Sequence, residues 1–171
     1  MKRILFLLLI VAVSCTPKVN REVYSDHEAQ TIMIGEVNWE GLIKPPYGDW
    51  FKPNYLNYQV DSVSLATIED KLEGVEIVVF MGTWCEDSQV EVPQFYKILD
   101  HLGYNLNDLT VSAIDRSDDG IVLTPKATEH NIEKVPTYIF YRHGIELGRI
   151  TEYPVKSLEK DMAEILGGIV E

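Results

Sequence analysis

Cysteine is scarce in this chain: Cys15 and Cys85 are the only two in 171 residues, far too few for a disulfide-stapled scaffold. Positive charge is scarce as well. Fifteen Lys and Arg face 27 Asp and Glu, a formal net charge of −12, and such a surface repels nucleic acid and anionic lipid. His27, His101, His130 and His143 are scattered without HxxxH or Cys/His spacing, so no metal is expected. Asp115 with Asp118-Asp119-Gly120 lacks the glutamate that would complete a calcium loop and reads as a turn. No glycine-rich phosphate loop follows a strand, internal repeats are absent, and no cofactor is expected. What is present suits a single packed domain: a chain that is 46% hydrophobic and 10% aromatic, and a length that leaves little for a second core.

The first residues stand apart from that domain. Lys2 and Arg3 precede a ten-residue apolar run, Ile4 to Val13, which is short of the roughly 20 residues a membrane-spanning helix needs. Small residues then lead to Cys15, and the whole reads as a secretory signal peptide over residues 1–14. Ala12-Val13-Ser14-Cys15 resembles the bacterial lipobox, with Ala12 where that motif prefers leucine. The resemblance implies lipidation of Cys15, a membrane anchor through that lipid, and a place in the bacterial cell envelope facing the periplasm. The plainer alternative is an ordinary signal peptide cut near Ser14. With Cys15 lipidated, Cys85 is the sole thiol of the mature chain, and no internal disulfide can form.

Residues 15–26 are polar and read as a tether. Residues 27–61 form an extension rich in aromatics, with Trp39, Tyr47, Trp50, Phe51, Tyr55 and Tyr58 around the turn cluster Pro45-Pro46-Tyr47-Gly48-Asp49. Thr31 to Trp39 suits a strand. The remainder shows no clear period, and its aromatics are expected to bury themselves against the domain rather than line a carbohydrate or peptide site. From Ser62 the pattern is regular. A helix carries Leu65, Ile68 and Leu72 up to Gly74; Ile77 to Met81 suits a strand buried on both faces; a second helix follows Cys85 through Val90, Phe95, Ile98, Leu99 and Leu102. Next come a strand Leu109 to Ile114, a helix Pro125 to His130, strands Tyr138 to Tyr141 and Ile145 to Ile150, and a last helix opened by Ser157.

The chemistry concentrates at Trp84-Cys85-Glu86-Asp87-Ser88. A thiol at a helix N-terminus meets unpaired N–H groups and the positive end of the helix dipole, which favour the nucleophilic thiolate, while Glu86 and Asp87 oppose it. In order along the chain stand a buried strand, Trp84-Cys85, Pro93 eight residues after the cysteine, Val135-Pro136-Thr137, a glycine-containing hairpin and a C-terminal helix. This series resembles the thioredoxin-like superfamily over residues 62–171. It implies an α/β thioredoxin fold, a central mixed sheet flanked by helices, here with the aromatic-rich N-terminal extension.

The same resemblance assigns roles. Cys85 is the nucleophile, and Ser88, one turn on, stands where a resolving cysteine is usual; its hydroxyl is expected to donate a hydrogen bond to the sulfur. Pro136 is expected to follow a cis bond that brings Val135 beside the sulfur, so that Trp84, Val135, Pro136 and Thr137 form the substrate-binding surface. Two departures matter. Cys85 can form a mixed disulfide that no internal thiol releases, and the carboxylate often found six residues before the first cysteine is Val79. A peroxiredoxin is excluded, since position 82 is glycine rather than threonine.

The expected function is that of an extracytoplasmic lipoprotein acting as a monothiol thiol–disulfide oxidoreductase. Its partners would be protein or small-molecule thiols and disulfides, with an external resolving thiol and no nucleic acid. Two alternatives stand beside it: a non-catalytic thioredoxin-fold module that binds a peptide or protein, and a structural lipoprotein with Cys85 merely buried.

Overall fold

Every strand next to the site owes its place to Val75–Met81 (β3), whose residues are apolar at nearly every position. Such a segment is stable only when covered on both faces and paired on both edges. In the computed structural model, which describes residues 18–122 and 124–167, β3 pairs in parallel with Leu109–Ala113 (β4) and antiparallel with Thr137–Arg142 (β7). Arg21–Ser25 (β1), Gln30–Val37 (β2) and Ile145–Thr151 (β8) complete a mixed six-stranded sheet in the order β1-β2-β4-β3-β7-β8. No helix of the described residues is long and apolar enough to cross a membrane. The signal peptide and Cys15 lie outside the described residues.

Short helices Trp39–Leu42 (α1), Gly48–Asn57 (α2) and Ser62–Leu65 (α3) precede β3; the long helix Glu86–His101 (α4) follows it. Arg116–Ser117 (β5) and Gly120–Ile121 (β6) make a small hairpin after β4, then come Pro125–Glu129 (α5) and, after β8, Leu158–Ile165 (α6). The odd-numbered side chains of β3 and the apolar residues of α2, α3, α4 and α6 share the larger core. Phe80 faces the other way, into a smaller core with Ile114, Ala127, Ile132, Val135 and Ile139. This is the thioredoxin fold expected from the sequence.

Three expectations change in detail. The tether assigned to residues 15–26 gives way at Arg21 to β1, because the chain folds back on β2 in a register that pairs Arg21 with Ile34; only Ser25 of β1 is buried, so the strand carries little apolar signal. The helix expected from Ser62 to Leu72 is one turn, capped by Asp61, with a 3₁₀ turn at Glu69–Lys71 after it. There the Thr67 hydroxyl donates to the Ser64 carbonyl and competes with the helical ladder. On α4, Val90 faces solvent and Val92 takes the core position. The aromatic extension does pack inward: Leu42, Tyr47 and Phe51 are core residues, and β2 is a full member of the sheet.

Candidate active site

Cys85 is the N-cap of α4, held in extended backbone geometry between the end of β3 and the first helical turn. Three local devices fix that loop. Trp84 donates its indole N–H to the Ile114 carbonyl at 2.8 Å and packs over Gly82, where a Cβ would lie 2.6 Å from the ring. The Arg116 guanidinium covers the Trp84 ring at 4.5 Å. The Thr83 hydroxyl accepts the Met33 N–H of β2 at 3.0 Å, and the Thr83 carbonyl accepts the Gln89 amide at 2.8 Å. β2 of the extension thus braces the reactive loop from one side and α4 from the other.

Pro93 acts one step further out. It has no N–H, so the Gln89 carbonyl loses its helical partner; the Asn54 amide of α2 donates to it at 3.0 Å instead. The proline thus couples α2 to the active-site helix.

The sulfur of Cys85 is partly exposed and lies 3.5 Å from the Val135 carbonyl, to which the thiol donates. The Val135–Pro136 bond is cis. Trp84, Cys85 and Val135 therefore meet at one edge of the smaller core. Pro136 and Thr137 are buried: the Thr137 hydroxyl donates to the Lys134 carbonyl and its backbone belongs to β7, so both residues hold the loop from within. Among the described residues the Val135 N–H donates no hydrogen bond.

Ser88 differs from expectation. Its side chain is fully buried, and the hydroxyl accepts the Gly82 N–H at 3.2 Å. No Ser88–Cys85 hydrogen bond forms among the described residues. The helix turns Ser88 toward β3, where the nearest unsatisfied donor is the backbone of the reactive loop. Ser88 thus shapes the loop and leaves the sulfur to the Val135 carbonyl.

Some residues near the sulfur carry no sequence motif. Tyr153, after β8, donates its hydroxyl to Asp87 at 3.0 Å, and that hydrogen bond, then the Asp87 charge, raises its phenol. On the core side, Glu91 and Tyr138 each have a buried oxygen without a hydrogen-bond partner. Burial, then the charge of Asp87, pushes the Glu91 carboxyl up to about 7. Glu91 was findable in principle: it falls on the Ser88–Glu91–Phe95 stripe, where a carboxylate is out of place.

A cavity of about 370 Å³ sits at the opposite end of α4, rimmed by Trp39, Tyr55, Tyr96, Asp100 and Tyr104. None of the residues around the sulfur lines it. No three metal-ligating side chains gather among the described residues.

The sequence pattern of a thioredoxin family matches residues 50–164. No curated protein matches the chain. Among solved structures, a protein of unknown function from Pseudomonas aeruginosa is similar with a TM-score of 0.51 and 14% identity, covering 78% of this chain and 91% of its own. Thioredoxin O2 from Arabidopsis thaliana, solved in its oxidised state, gives a TM-score of 0.40 at 20% identity, covering 60% of this chain and 84% of its own. The matched pattern spans the reactive loop, α4 and the Val135–Pro136 turn, and by it the chain belongs to the thioredoxin family.

Proposed function

We propose that this chain is an extracytoplasmic, lipid-anchored monothiol oxidoreductase that works through mixed disulfides at Cys85. The observation that carries the reading is the placement of one accessible thiol at the N-terminus of a 16-residue helix, 3.5 Å from the Val135 carbonyl, with Ser88 sealed in the core behind it. A disulfide R–S–S–R′ approaching along the open side meets that sulfur. Cys85–SH and R–S–S–R′ then give Cys85–S–S–R and R′–SH, the attacked disulfide being reduced and Cys85 oxidised. No second thiol among the described residues can undo the adduct: Ser88 is no reductant, and its hydroxyl is turned to the Gly82 N–H. An external thiol R″–SH attacks it, restores Cys85–SH and leaves as R–S–S–R″. The uncommitted Val135 N–H and its carbonyl suit an extended substrate peptide laid beside the sulfur.

That same backbone edge favours a second reading, a module that holds a peptide without exchanging disulfides. One comparison separates the two. The full chain and its Cys85→Ala variant are extracted under acid quench and run on non-reducing gels. Mixed-disulfide bands that vanish with Cys85→Ala support the oxidoreductase; partners retained equally by both proteins overturn it in favour of the binding module. Globomycin-sensitive processing of the precursor, lost in Cys15→Ala, tests the lipid anchor.

A further inference from the structure

The cavity at the far end of α4 is walled by four aromatic side chains, Trp39, Tyr55, Tyr96 and Tyr104, and by two carboxylates, Glu40 and Asp100. Its volume of about 370 Å³ falls within the range of small-molecule sites, about 300–1,000 Å³. Among the described residues that line it there is no Lys, Arg or His. The aromatics of the extension thus pack inward and still leave a hollow between them.

The walls are fixed before anything enters. Trp39 meets Tyr55 at 5.0 Å and 74° and Tyr96 at 5.6 Å and 60°, so the rings stand steeply to one another and offer no single flat platform of the kind a sugar ring stacks on. Phe51 backs Trp39 from the core at 5.1 Å. Two of the three tyrosine hydroxyls are committed: Tyr55 donates to Asp100 at 3.0 Å, and Tyr104 donates to the Val75 carbonyl at 2.8 Å. Tyr96 is the exception. Only 4% of it is exposed, it lines the cavity, and among the described residues its hydroxyl has no hydrogen-bond partner. A polar group so deeply placed and unpaired is one left for an occupant of the cavity.

The charge of the hollow selects the occupant. Lys97, which does not line the cavity, sets its ammonium 4.7 Å from the centre of the Tyr55 ring and 4.0 Å from Asp100. This ring and carboxylate therefore already hold an ammonium of the chain itself, and that ammonium offsets Asp100. Glu40 forms no ion pair or hydrogen bond among the described residues, and its charge acts on the Tyr96 phenol. An adjoining hollow of about 380 Å³ shares Trp39, Glu40 and Tyr96 and adds Glu36, Asn38 and Asn107, so negative and hydrogen-bonding groups continue beyond the rings.

We propose that this cavity binds a free small organic cation, an alkylammonium compound whose charged head lies among the Trp39, Tyr55 and Tyr96 rings beside Glu40 and whose polar tail reaches the adjoining hollow. Aromatic rings attract an ammonium through their quadrupoles, most strongly where water is displaced, and the Glu40 carboxylate adds a full negative charge. The Tyr96 hydroxyl is free to pair with the polar tail. None of the residues around Cys85 lines the cavity, so the site stands apart from the thiol and does not rest on the oxidoreductase reading.

The test titrates choline chloride into the full chain by calorimetry at low ionic strength, beside three comparison ligands. One is 3,3-dimethylbutan-1-ol, which has the shape of choline without its charge; the others are glucose and Nα-acetyl-lysine amide, which carries an ammonium in the form of a protein side chain. Saturable choline binding, about tenfold or more tighter than that of the neutral isostere and weakened by added sodium chloride, is the expected result. Glu40→Gln, at an exposed position, is expected to weaken choline about threefold or more, and Tyr96→Phe, which keeps the ring, about twofold or more. No saturable choline binding, equal affinity for the neutral isostere, tighter binding of glucose or of the lysine amide, or an affinity unchanged in either variant overturns the proposal. The isostere comparison is made on the unaltered chain and needs no variant to fold. Failure of Cys85 to exchange disulfides would leave every one of these outcomes where it stands.

Discussion

The C-terminal half of α4 and its first two turns face the same core in opposite ways. Toward the C-terminus, Tyr96 meets Trp39 and Phe51 edge-on, each at 5.6 Å, Trp39 meets Phe51 at 5.1 Å, and the Tyr55 hydroxyl donates to Asp100. Rings interlock and polar tips are paired or wet. Toward the N-terminus the helix carries a partly exposed thiol, two acidic residues in its first turn, and Glu91 with an unpaired buried oxygen, while β7 holds the unpaired hydroxyl of Tyr138. Ring packing is concentrated where no chemistry is expected; of the buried unpaired polar atoms among the described residues, those of Glu91 and Tyr138 lie toward the reactive end and those of Tyr47 and Arg142 away from it. The extension supplies the first of these: Trp39, Phe51 and Tyr55 all precede residue 62.

The largest predicted effect breaks the stable end. Phe51→Ala removes a fully buried ring that contacts four others and is expected to cost about 3–5 kcal/mol in denaturant unfolding. Cys85 in the fraction that remains folded should keep its reactivity; a parallel loss would erase the division between the two ends.

Next comes the pH dependence of the reactive end. Glu91 has a folded-state value of about 7 against 4.5 unfolded, so folding disfavours its charged form. Its contribution is complete below about pH 4.5 and is lost as pH rises through 7, a fall of about 1–2 kcal/mol once solvent screening of this half-buried group is allowed for. Glu91→Gln should flatten that segment of the stability–pH curve, measured by urea midpoints between pH 4 and 8. An unchanged slope assigns it to other groups.

A smaller effect probes the joint between the halves. Asn54→Ala deprives the Gln89 carbonyl, already orphaned by Pro93, of its donor and should cost about 1 kcal/mol. The smallest concerns Tyr153→Phe, which frees the partly buried Asp87 carboxylate two residues after Cys85; Cys85 alkylation should slow slightly at low ionic strength and recover with salt. An effect that salt leaves untouched points to shape rather than charge.

Much of this was readable in the sequence. The apolar run of β3 and the Ser157 cap located their elements, because each rests on local patterning. The position of Cys85 and its meeting with Val135 followed from the resemblance. Less legible was whatever depends on partners distant in the chain. β1 shows no alternation because it is an edge strand with one buried residue, and α1 and α2 pack their rings on Tyr96 of α4. Ser88 was placed correctly along the helix, yet its hydroxyl turns to the Gly82 N–H, a choice set by loop geometry that spacing alone does not specify. Tyr138 reads as a strand aromatic until the register sets it opposite Val79.

The central claim, that Cys85 exchanges disulfides without an internal partner, is tested most directly by intact-mass analysis of the folded chain after incubation with bis(2-hydroxyethyl) disulfide at pH 7. A single mixed-disulfide adduct on Cys85 that persists on dilution and is discharged by an added external thiol is the predicted result. Discharge of the adduct without added thiol, or a folded protein whose Cys85 stays unmodified while the urea-unfolded chain reacts, would contradict it.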